Sequence, residues 1–248
     1  MTASRVSHRA EGMVLGAIVA LVAVALLLPA IAQDPKYHLF ADQRTWLGVP
    51  RAADVLSNLA FIAIGLFGGF TLLSPRRLPL RNATVTSLWC VAAGFVLTGI
   101  GSAWYHWQPN DATLVWDRLP MTLVLAGVIS TAIAERVGEN VAIAALALLI
   151  AAGIASVMYW RSSGNLTSYA VLQFGGIAAL LVLLAMTRGD GDPFAWSWVV
   201  GWYCFAKVAE LADQSVWQAT NGLLAGHAIK HLAAAAAGAA MFYPLRNR

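Results

Sequence analysis

Five polar residues set in apolar surroundings are the ones able to do chemistry here: Ser102, His106, Asp117, His227 and His231. His227 and His231 lie four apart, so on a helix their rings leave one face with Cβ atoms about 6 Å apart, a spacing that suits two ligands on one metal ion. His106, from a different segment, supplies a third imidazole. Three neutral imidazoles leave a fourth position open for water, the arrangement of catalytic zinc sites. Asp117 is the group expected to accept or orient that water's proton. Ser102, four before His106 and on the same helical face, is expected to donate to a developing oxyanion; it is not read as a nucleophile, because the nearby histidines are needed as ligands. Such groups are costly in hydrocarbon, which makes the set a functional-site candidate.

Blander readings exist for each. A single buried His106 can simply bond a neighbouring carbonyl, and Asp117-Arg118 can be a local charge pair at a helix entrance. Lys207 and Glu210, three apart, are expected to neutralise each other, and Lys230 to point away from the centre line of the His pair, snorkelling or pairing with Glu210. With Ser57 and Asn58, Lys207 and Glu210 are assigned to structural polar support. His8 and His38 fall in expected loops and carry no signal.

The elements that must position these groups are hydrophobic. Of 248 residues, 59% are hydrophobic and 11% charged, with mean hydropathy +0.68. Soluble domains carry about a quarter charged residues, so the expected class is an all-α integral membrane protein. A net charge of +4 would suggest nucleic acid in a soluble chain; here the bases sit in short loops and read as topology signals. Cys90 and Cys204 fall within apolar runs and read as small core residues.

Eight apolar segments are expected, at about Met13–Ala32, Val55–Leu73, Val85–Tyr105, Ala112–Ala134, Val141–Trp160, Leu166–Met186, Phe194–Leu211 and Gly222–Tyr243. Each approaches the ~20 residues a helix needs to cross a bilayer core. Breakers separate them: Ser74-Pro75, Gln108-Pro109-Asn110, Ser163-Gly164-Asn165 and Gly191-Asp192-Pro193. No internal repeat suggests an inverted-repeat transporter. Arg5 and Arg9 before the first run, and Ala30-Ile31-Ala32 after it, fit either a secretory signal or a retained extra span; retention is favoured. The organisation expected is therefore an N-terminal helix and linker over 1–40 and a seven-helix domain over 41–248.

Nine bases (Arg5, Arg9, Arg76, Arg77, Arg81, Arg136, Arg188, Arg246, Arg248) share the side of the N-terminus, against four (Lys36, Arg44, Arg51, Arg161) opposite. That imbalance puts both termini in the cytoplasm. His106, Asp117, His227, His231, Ser57, Asn58, Lys207, Glu210 and Asp213 then all enter their spans from the non-cytoplasmic face, as the lining of one cavity. Trp46, Trp104, Trp107, Trp160 and Trp217 are expected at the interfaces.

Ser102-Ala-Trp-Tyr-His106, Asp117 with Pro120-Met121, Gly226-His227-Ala-Ile-Lys230-His231 and Val55-Leu56-Ser57-Asn58 together resemble the alkaline ceramidase family. That family belongs to a superfamily of seven-helix membrane hydrolases that includes the adiponectin and progestin receptors. The resemblance runs over about Ala41 to Tyr243. It implies zinc held by His106, His227 and His231, with Ser102 and Asp117 beside it, and hydrolysis of the amide of ceramide to a fatty acid and a sphingoid base. Eukaryotic members carry an acidic calcium-binding stretch before the first core helix. Here Asp42 to Asp54 holds two arginines and only two acids, which argues against calcium. The extra N-terminal segment and alanine-rich composition look bacterial, with the site toward the periplasm, and leave room for another N-acyl lipid as substrate. A receptor or lipid-binding protein with a structural metal is the alternative, since fold does not decide function. A cation transporter is weaker, because the polar residues do not thread to the cytoplasmic half.

Overall fold

A computed structural model describes residues 8–186 and 192–246; among them the chain is helical, with no strand. Arg5, Arg188, Gly191 and Arg248 of the sequence reading lie outside the described residues, as does the side chain of Arg9. The helices are α1 (His8–Leu27), α2 (Ala52–Ser57), α3 (Leu59–Leu73), α4 (Asn82–Trp107), α5 (Asp111–Arg136), α6 (Glu139–Ser163), α7 (Thr167–Ala170), α8 (Gly176–Met186), α9 (Trp196–Leu211), α10 (Asp213–Ala219) and α11 (Gly226–Phe242). A π turn, Val171–Gly175, joins α7 to α8. Among the described residues five stretches are long and apolar enough to cross a membrane: Ala52–Leu73, Asn82–Trp107, Asp111–Arg136, Glu139–Ser163 and Thr167–Ala185. α9 and α11 are shorter, with 16 and 17 residues. Large apolar side chains such as Leu66, Phe70, Ile100, Leu148, Phe174 and Trp198 face outward, as surfaces solvated by lipid do.

The residues form two compact units, and α4 and α5 each run from one into the other. The first takes in the described parts of Met1–Gln33, Pro79–Val91 and Thr122–Asp192. In it α1 packs on α6 and the π turn, and its C-terminal tail is tied down where Leu166 N donates to Ile31 O at 2.7 Å. This unit also holds buried hydroxyls that the sequence reading did not anticipate. Ser87 donates to Ser130, which donates to the Ala142 carbonyl, each at 2.8 Å, and Thr84 donates to Glu135. Every one of these hydroxyls is satisfied within the protein, so helix-to-helix adhesion accounts for them.

The second unit comprises Asp34–Leu78, Ala92–Met121 and the described part of Pro193–Arg248, and contains every residue named above as a site candidate. α11 is its central helix, packed on α9 and α3. Gly226 permits the α9 contact: a Cβ there would lie 2.2 Å from the Ala209 carbonyl oxygen. Two local devices fix the ends of the helices that carry the site. Arg51, in the left-handed region at φ 46°, sends Nε to His106 O and Nη2 to Trp107 O, each at 2.7 Å. A cation bonded to the last carbonyls of α4 satisfies acceptors that the helix itself leaves open. At the other helix, Asp213 Oδ1 accepts from His227 N at 2.8 Å, capping the first turn of α11 from outside.

Two expectations about side chains fail. Trp160, expected at an interface, is buried at 2% exposure, and Cys204, expected in the core, is exposed. Both segments are apolar all round, so periodicity could not say which face turns inward.

Candidate metal centre

The three histidines meet. His106 from α4 and His227 and His231 from α11 have ring centroids 4.7, 5.0 and 5.0 Å apart, and their ligand atoms all lie within 4.8 Å of one another. All three are buried. Two imidazole nitrogens on one zinc ion stand about 3.4 Å apart at tetrahedral angles, so the rings need draw in by little more than an ångström.

Whether these residues fit a cation is decided by their hydrogen bonds. Ser57 Oγ lies 2.7 Å from His231 Nδ1 and donates onward to the Asp54 carbonyl at 3.1 Å. The proton of His231 is therefore assigned to Nδ1, which turns the lone pair of Nε2 inward. That Nε2 is buried with no hydrogen-bond partner, and so are both ring nitrogens of His106. Orphaned buried nitrogens are rare and costly, and lone pairs converging on one point repel unless something positive lies between them. The donor set, three imidazoles with one ring fixed through its far nitrogen, suits a borderline-soft divalent ion. The buried cluster can hold a metal ion.

Ser102 and Asp117 come together as well, the serine hydroxyl lying close enough to favour the charged carboxylate. This contact depends on a close approach of α4 and α5. Pro120 has no N–H for the Trp116 carbonyl four residues before it, and Gly101 packs against that freed oxygen, where a Cβ would stand at 2.0 Å. Gly101→Ala is accordingly expected to force α4 and α5 apart at a cost of about 1–3 kcal/mol, read as a lower melting temperature of the purified protein.

Lys230 is placed otherwise than expected. Its Nζ lies 2.8 Å from His227 Nε2 and 3.2 Å from Glu210 Oε1, while Lys207 holds the other oxygen of Glu210 at 2.7 Å. The lysine turns into the site instead of away from it, because position i+3 shares a helical face with His227. Pairing of Glu210 with both lysines agrees with the sequence reading. Asn58 donates to the Asp54 carbonyl at 2.7 Å, so it and Ser57 act as support. The Asp54 carboxylate itself is fully buried, with neither oxygen hydrogen-bonded.

The linker before α2 covers the centre, and sequence reasoning missed it. The Phe40 ring sits 4.5 Å from that of His106 and 4.6 Å from that of His227. Its neighbours hold it there. His38, read as a featureless loop residue, bonds Tyr105 Oη at 3.0 Å and Asp111 at 3.2 Å, and Ala41 N donates to Asp213 Oδ2 at 2.9 Å. Arg118 stacks on Tyr37 at 5.4 Å. Asp42 is taken up by Arg44, with contacts of 2.9 and 2.6 Å. Burial alone would raise the Asp42 carboxyl, but the bonds from Arg44 outweigh it and hold the group below its ordinary value. The one signal in the sequence was the short apolar cluster Tyr37, Leu39 and Phe40 between polar residues of the linker.

No family model, curated protein or solved structure matches this chain.

Proposed function

We propose that the chain is a zinc-dependent hydrolase of N-acyl lipids, ceramidase-like, with seven membrane-spanning helices preceded by one N-terminal helix. One observation carries the reading: three buried imidazoles from two helices converge with His231 Nε2 and both His106 nitrogens left without partners. The excess of bases on the side of the N-terminus supports cytoplasmic termini; the centre then faces the periplasm of a bacterial inner membrane.

His106, His227 and His231 would hold the ion, which when bound polarises an amide carbonyl and acidifies water at its open position. Ser57 keeps His231 in the ligating tautomer. The Asp117 carboxylate, aimed by Ser102, takes a proton from water as its oxygen bonds to the carbonyl carbon, then returns that proton to the amide nitrogen as the C–N bond breaks. The products are a fatty acid and an amine. Phe40 and the linker exclude bulk water above the rings, and the apolar outer faces of the helices give an acyl chain its route from the bilayer.

Purified protein incubated with ceramide and other N-acyl lipids is expected to release fatty acid, to lose that activity on chelation and to regain it with zinc. Full turnover by metal-free protein would exclude the mechanism. A second reading, a receptor or lipid-binding protein with a structural metal, is favoured by Phe40, whose ring closes over two of the ligands as structural sites require.

A further inference from the structure

A second polar site lies at the opposite end of α3, some 15 residues or about 22 Å from the histidines along the helix. There a cavity of about 430 Å³ is lined by Phe67, Phe70, Thr71, Ser74, Arg76, Arg77 and Arg246. The arginines arrive from two directions. Arg76 and Arg77 follow α3, Arg246 follows α11, and the strands of backbone meet in an isolated bridge between Arg77 and Arg246. Arg77 is fixed by its own bonds to the Leu72 and Leu78 carbonyls, both at 3.1 Å, and the Arg246 guanidinium lies 5.9 Å from the Phe67 ring. Among the described residues no carboxylate pairs with any of the three. Three unneutralised guanidiniums around one cavity repel each other and call for an anion.

Topology alone would account for arginines here, but topology arginines need only lie on the correct side. These converge on one half-open cavity, with the Thr71 and Ser74 side chains beside them and an aromatic wall in which Phe70 is 72% exposed. Guanidiniums match phosphate geometry through paired N–H donors, and basic pockets at the ends of spanning helices suit anionic headgroups. From this we infer that the cavity binds the phosphate of an anionic membrane phospholipid, with the glycerol and upper acyl chain lying along Phe67 and Phe70. The aromatic wall is the reason to assign a lipid in preference to free phosphate. This site is separate from the metal centre and stands whether or not the chain is a hydrolase.

The test uses the full chain in detergent with an equimolar mixture of phosphatidylglycerol and phosphatidylcholine, the retained lipid being quantified by mass spectrometry. The wild-type protein is expected to retain phosphatidylglycerol preferentially, and Arg76→Gln/Arg246→Gln to lower that preference about tenfold with the bound-metal content unchanged. Should the double variant fail to fold, Arg246→Gln, which removes no side-chain hydrogen bond, replaces it with a smaller loss in the same direction. Equal retention of both lipids by the wild type overturns the inference. Displacement of the lipid by millimolar inorganic phosphate overturns its lipid part and leaves a free-anion site.

Discussion

His231→Ala protein is expected to emerge from purification without its metal and without measurable amide hydrolysis. Removing one of three ligands costs more than removing a partner behind a ligand, and the latter already lowers affinity by about 10–100-fold. Ser57→Ala gives that milder case for comparison, since Ser57 holds the far nitrogen of His231 at 2.7 Å. Metal content measured by mass spectrometry and fatty acid release from the same preparation read the two losses together. Should His231→Ala retain a full complement of ion, the trio is not the centre and the proposed mechanism falls with it.

Asp117→Asn separates the two readings of the fold. Asparagine keeps the shape of the side chain and an oxygen for the Ser102 hydroxyl to donate to, so α4 and α5 should stay in register and the histidines should keep their ion. What disappears is the ability to take up a proton. A hydrolase then loses about 10²–10⁴ in rate with little change in bound metal. A receptor or lipid carrier with a structural ion is indifferent to the change, and unchanged lipid binding with unchanged metal would favour it.

The centre was legible because its signals are local. Histidines four apart on an apolar helix, and Ser102 one turn from His106, share faces by helical geometry alone, and their cost in lipid marks them. Five of the eight expected spans match, within a few residues, stretches long and apolar enough to cross a membrane among the described residues, punctuated by breakers such as Pro109 and Gly164. Lys230 was misjudged: its face was readable, but a four-carbon stem can swing either way, and only Glu210 on α9 determines which. Phe40 was illegible for a different reason. It lies in a linker with no period, and its place over His106 and His227 is set by His38, Asp111 and Asp213, partners up to 172 residues distant. The same holds for Asp54, whose backbone oxygen matters to the site while its type does not reveal it. Trp160 and Cys204 show the limit of composition within a membrane segment, where inside and outside are equally oily.

The Lys207–Glu210–Lys230 group has a consequence for how an ion would gain the third ligand. Its ammonium, already seated against His227, is a tethered cation that relieves part of the mutual repulsion of the rings. An arriving ion would therefore compete with that ammonium for the His227 nitrogen. Were the centre to take an ion, loading would be an exchange that returns the Lys230 side chain to Glu210, whose carboxylate already lies 3.2 Å away.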